Sequence, residues 1–204
     1  MSKLFRPMDY LKIKHSQKSR YDFFIPTIVA ASGTIFLIIL PHPVPFFGER
    51  GVISVITGIL QMLTGFYIVS LAAVATFQKR GMDEKMPGPS IELEVTTKGQ
   101  KKKIEELTRR RFLCLLFGYL ALLSFFLYFL GAAANLLAEN AKYIIPENYH
   151  AFVRWGFAGV YLFLTANLFT TTLHGLYYMV ERIHRPDPVL EKKKSESERQ
   201  NETQ

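Results

Sequence analysis

The chain has 204 residues, one cysteine, 25 Lys+Arg against 17 Asp+Glu and a formal charge of +8. Those charges are segregated: Phe23–Leu40 (18 residues), Gly51–Phe77 (27), Phe112–Ala138 (27) and Trp155–Val180 (26) contain no Asp, Glu, Lys or Arg. A soluble domain interleaves charged and apolar residues, whereas about 20 apolar residues cross a hydrocarbon core, so a soluble enzyme, a secreted disulfide scaffold and a free nucleic-acid-binding domain are excluded.

The segment 1–22 carries six basic residues. Arg6-Pro7-Met8-Asp9 has the form of a helix start, with proline early and an acid in the first turn. Met8, Leu11 and His15 follow at helical spacing, which predicts an amphipathic helix lying on the membrane. The first run, 23–40, is preceded by a leader too long for a signal peptide. It is followed by Pro41-His-Pro-Val-Pro45, with no small-residue cleavage site, so a retained span is expected. Pro26 falls in its first turn, where a missing N–H costs nothing. The connection Pro41–Arg50, with three prolines, is a stiff cap.

The second run, 51–77, places Ser54, Thr57, Gly58, Gln61 and Gly65 on one helix face. The loop 78–111 holds ten basic residues. After the turn Pro87-Gly-Pro89, Ser90–Thr96 alternates apolar and polar residues, predicting a short strand with Ile91, Leu93 and Val95 on one face. Lys101–Arg111 reads as helix running into the third span, and no second strand is evident. Either the strand pairs with another protomer or with a cytosolic protein, or the loop is simply irregular. Lys98–Lys103 and Arg109, Arg110 and Arg111 form a basic surface for topology, head groups or that partner. Direct nucleic-acid binding is not expected, because Glu105 and Glu106 interrupt the run and no aromatic residue is interleaved.

The third run, 112–138, roughly aligns Cys114, Gly118, Ala121, Tyr128 and Asn135. Cys114 reads as a small packing residue. The connection Glu139–Arg154 carries Tyr143 and Tyr149 beside Trp155, aromatics suited to head-group depth. In the fourth run, 155–180, Asn167, Thr171, His174 and Tyr178 share a face. The tail 181–204 is polar, as a disordered tail would be.

Orientation follows from the basic residues: 22 lie in the segments 1–22, 78–111 and 181–204, and three lie in the other two connections. The positive-inside rule then puts both termini and the long loop in the cytoplasm. The expected fold is an all-α membrane protein with four transmembrane helices, N-in and C-in, and a small cytoplasmic loop containing a short strand. The spans occupy 23–40, 51–77, 112–138 and 155–180.

The polar span residues Gln61, Asn135, Asn167, Thr171 and His174 have two readings: a lined cavity or pore, and hydrogen bonds between packed helices. Packing is favoured, since a conducting path usually shows more polar groups or a charged ring. The runs contain no paired carboxylates and no H-E-x-x-H helix, and the chain has no phosphate-binding Gly-rich loop. The expectation is a non-enzyme with no cofactor and no metal. An ion-coupled exporter ranks last because no carboxylate stands within a run.

Four spans, both ends inside, tiny outer loops, one basic inner loop and the lead segment Met1–Phe24 together resemble the membrane subunit of the Kiwa anti-phage defence system. The resemblance implies an oligomeric protein of the bacterial inner membrane that senses infection and holds a cytosolic partner acting on phage nucleic acid. The residues and the resemblance together lead to a non-catalytic sensor and scaffold, a dimer or tetramer contacting lipid and a cytosolic effector. The alternative is a pore-forming membrane effector.

Overall fold

The computed structural model describes residues 3–14, 20–42, 44–76, 82–83, 92–95 and 103–182. Its four long helices are α1 (Ile25–Ile39), α2 (Val52–Thr76), α3 (Arg109–Ile144) and α4 (Glu147–Tyr177). All four, α1 counted with the π-helical turn Arg20–Phe24 before it, are long and apolar enough to cross a membrane. Leu40 ends α1 in extended backbone, ψ 130°, because Pro41 clashes with a helical predecessor. Ile145 ends α3 the same way before Pro146. The connection Glu139–Arg154 is therefore mostly helix, and α3 and α4 form a hairpin longer than their charge-free runs.

α2 lies along α3, α1 along α4, and α3 packs on α4. The apolar windows of α3 and α4 are each 44% buried, against 17% for the first two spans, so the hairpin carries the core. The buried positions repeat in sevens. Ile53, Leu60, Tyr67 and Val74 are buried on α2; Leu113, Leu120 and Leu127 on α3; Tyr161, Leu168 and Gly175 on α4. A repeat of 3.5 residues per turn keeps a seam facing its neighbour in left-handed packing. Gly131 sits where three helices converge. A Cβ there would lie 2.6 Å from the Tyr161 hydroxyl and 3.0 and 3.1 Å from Ile53 and Thr57.

The exposed apolar residues, among them Ile28, Phe36, Met62, Val69, Phe129 and Leu173, cover the outer surface of all four helices. Hydroxyls in the spans turn back onto their own helix: Thr27, Thr34, Thr64, Thr76, Thr165, Thr170 and Thr172 each donate to the carbonyl four residues earlier. Polar side chains are thereby tolerated in an apolar environment without a polar cavity.

At the other end of the hairpin lies a three-stranded antiparallel sheet: β1 (Ile13–Lys14), β2 (Glu92–Val95) and β3 (Lys103–Glu106), in the order β1-β2-β3. Leu93 faces Ile13 on one side and Glu105 on the other, and Val95 faces Lys103. Two expectations are corrected here. The strand expected to need another chain finds its neighbours within its own. Lys103–Glu106, expected as helix, is strand, and α3 starts only at Arg109, where the Thr108 hydroxyl accepts the Arg111 N–H at 3.3 Å. Ile91, Lys98 and the tail from 183 lie outside the described residues.

The segment before α1 packs in part on the bundle. Lys3–Lys12 is a 3₁₀ helix packed against α3. It buries Tyr10 and sets Pro7 against Gly118, while Met8 and Leu11, the expected membrane face, are exposed. His15 is outside the described residues. Tyr10 is buried because the segment lies along α3, with the Tyr10 ring against Phe112 and Tyr119.

Candidate functional site

Asn167 stands 12 residues past Trp155 and 13 before Val180, near the midpoint of the fourth charge-free run. Both ends of its amide are engaged. The Tyr119 hydroxyl donates to Oδ1 at 2.9 Å, and Nδ2 donates to the Asp22 carbonyl at 2.6 Å. Three elements thus meet on one side chain: α3, α4 and the turn before α1. Tyr10 stacks on Tyr119 with centroids 5.0 Å apart and reaches Phe112 at 6.3 Å. Two turns further along α4, His174 stacks on Tyr21 at 5.0 Å. Burial, with the Asp22 charge beside it, pushes the Tyr10 phenol up, so it stays protonated at any physiological pH.

Asp22 is 4% exposed. It immediately precedes the first run, and a count of charges assigns it to the cytoplasmic leader. In the fold it is buried, and its backbone carbonyl meets Asn167 near the middle of the fourth charge-free run. The acid that adjoins the first run is thus buried against the helices, although the runs themselves hold no carboxylate. The signal in the sequence was an acid directly abutting an apolar run too short to span comfortably.

The other polar span residues scatter. Gln61 donates to the Tyr128 hydroxyl at 3.2 Å, joining α2 to α3 near the surface. Asn135 Oδ1 accepts the Gly48 N–H at 3.1 Å at the far end of the bundle. Thr171 is buried, and its hydroxyl has no hydrogen-bond partner among the described residues. Tyr67 and Thr172 share a hydrogen bond of 2.6 Å, and Thr64 and Ser124 one of 2.7 Å. Gln61 and Asn135 therefore make contacts apart from the Asn167 cluster, whereas Asn167 and His174 both meet the turn before α1. Tyr10, Asp22 and Tyr119, which the sequence reading missed, are the neighbours Asn167 brings together.

The three arginines at the start of α3 differ in their surroundings. Arg109 is buried. Arg110 forms a bidentate pair with Asp83, Nε to Oδ1 at 2.7 Å and Nη2 to Oδ2 at 3.0 Å. Its Nη1 reaches the carbonyls of Val74 and Ala75 at 3.4 and 3.3 Å. It therefore caps the C-terminal carbonyls of α2 while holding the loop after it. The guanidinium holds the Asp83 carboxyl below its usual range. Arg111 is half-buried. Of the three arginines expected to meet a partner, Arg109 is thus buried and Arg110 is engaged within the chain.

Among the described residues, no three His, Cys, Asp or Glu side chains are grouped as a metal ion would require. No family model matches this chain, and no curated protein or solved structure matches it.

Proposed function

We propose that this is a non-catalytic, multi-pass protein of the bacterial inner membrane that senses a change at the envelope and holds a cytosolic effector, as the resemblance to the Kiwa membrane subunit implies. The observation that carries the reading is the sheet. β1 leads towards α1, and β3 enters α3 after only Leu107 and Thr108. A shift of the α1–α4 pair relative to the α2–α3 pair would act on both ends of one small sheet. The basic partition places that sheet in the cytoplasm, with both termini. β1 and the end of the Lys3–Lys12 segment lie against one edge of β2, so a partner strand would extend the sheet along the outer edge of β3.

The protein acts as a homo-oligomer, a dimer or tetramer, in this reading. α2 buries its heptad seam on α3 and turns Gly58, Gln61 and Gly65 outward. A Cβ at Gly58 or Gly65 would meet nothing within 4 Å. Small residues with one polar group permit close approach of a second helix.

The test is a mild-detergent pull-down of the tagged protein, reading the intact mass and the proteins that come with it. A stoichiometric cytosolic protein is expected, and Leu93→Pro with Val95→Pro should release it, since proline removes the ladder N–H groups. A bare homo-oligomer that conducts ions in liposomes would replace this reading with the channel alternative. Tyr67, Phe117 and Tyr161 fill the interior of one protomer, so such a path would run between protomers, beside Gln61.

A further inference from the structure

At the end of the bundle away from the sheet, the Pro41–Arg50 connection and the α3–α4 hairpin enclose an open cleft of about 950 Å³. Its floor is closed by the Gly48–Asn135 hydrogen bond. Its walls are apolar, with Phe47 stacked on Phe157 at 5.8 Å and Leu137 beside them. Its mouth is cationic: Lys142 and Arg154 line it, and Glu139 is the one acid. The Arg154 guanidinium lies 5.4 Å from the Trp155 ring centroid. The indole fixes the height of that charge.

The position in the chain matters as much as the lining. α3 leaves its charge-free run at Ala138, and α4 enters its own at Trp155. Both residues line the cleft, so it straddles the boundary between an apolar and a polar environment. Tyr143, Ile144 and Phe152, 90%, 81% and 77% exposed, surround it, as residues at a lipid interface do. A volume of this size admits a polar head and the first part of its chains.

The geometry points to a binding site for one anionic phospholipid, its phosphate between Lys142 and Arg154 and its acyl chains along Phe47, Leu137 and Phe157. A small soluble anion would leave those walls uncovered. A zwitterionic lipid would not answer the excess of positive charge at the mouth. The inference rests on the reading that the four helices cross a bilayer and is independent of partner docking. It gives the proposed sensor an input at the end opposite its sheet, in the lipid itself.

Trp155 is the only tryptophan, so its emission reports the site. The delipidated full-length protein in neutral detergent is titrated with phosphatidylglycerol, phosphatidylcholine or inorganic phosphate, and the adducts are counted by native mass spectrometry. Phosphatidylglycerol is expected to bind in one copy per chain and shift the emission. Lys142→Gln and Arg154→Gln should each weaken it about fivefold, and the pair about 25-fold, for two cations near an interface. Arg50→Gln, at the same end but outside the cleft, should bind as the native chain does. Equal binding of phosphatidylcholine, a response to inorganic phosphate alone, or undiminished binding by the double variant overturns the inference. Extraction of cell membranes with alkaline carbonate tests the membrane reading separately. A chain that stays with the membrane but fails the phosphatidylglycerol titration sinks the lipid site alone.

Discussion

The Asn167 amide and the Asp22 carbonyl lie 145 residues apart in the chain and 2.6 Å apart in the fold. That bond, with the Tyr119 hydroxyl on the other side of the same amide, ties the turn before α1 to the hairpin that forms the core. In an apolar surround neither group has water to fall back on. Asn167→Leu should therefore destabilise the folded protein by about 2 kcal/mol, mostly through the two polar groups left without a partner. Unfolding in mixed micelles measures this. A loss under about 0.5 kcal/mol would mean the cluster contributes no more than an average interhelical contact.

Gly131 and Tyr161 predict a coupled pair. Gly131→Ala brings a methyl group into the Tyr161 hydroxyl, and the cost should be about 1–3 kcal/mol as for other overpacked cores. Tyr161→Phe removes that oxygen but leaves Ile53 and Thr57 close by. The double variant should recover part of the loss, so the two effects should not add. Strict additivity in the same unfolding measurement would show that the hairpin relaxes around Gly131.

The Asp83–Arg110 clamp predicts a pH-independent loop over the ordinary range. The Asp83 carboxyl is depressed by the arginine hydrogen bond, so the ion pair is intact above the usual carboxylate value and is lost only as pH falls through the lowered one. Trypsin cleavage at Lys79 and Arg80 should be unchanged from about pH 8 down to about pH 7, the span in which the protease works well, and faster in Asp83→Asn throughout. Amide exchange at the end of α2, followed down to about pH 4, should rise only at the acid end. Asp83 is exposed, so the effect belongs to the loop and not to global stability.

The outward face of α2 predicts the oligomer. Gly58→Leu with Gly65→Leu leaves the protomer untouched, because no neighbour occupies either position. The variant should keep its melting temperature at low protein concentration yet shift the detergent complex to a smaller mass. An unchanged mass would move the contact between copies to another face.

The sequence by itself determined that there are four helices long and apolar enough to cross a membrane, and roughly where they lie. A chain in lipid must satisfy every backbone group within its own segment, so a charge-free run of 18 to 27 residues has little choice but helix. The partition of lysine and arginine likewise carries the expected orientation. The polar residues Gln61, Asn135, Asn167 and His174 were legible as members of helix faces, since spacing alone sets a face. Their partners were not, because a face does not name its neighbour. Only the tertiary structure decided that α2 turns its glycines outward and buries the Ile53–Val74 seam. It alone drew Asp22 and Tyr10 inside, and gave the lone predicted strand the company of Ile13–Lys14 and Lys103–Glu106. Each of those outcomes depends on contacts between residues far apart in sequence. A two-residue strand, or an aspartate at the lip of a span, has no local pattern strong enough to announce itself; packing against a distant element supplies the energy that fixes it.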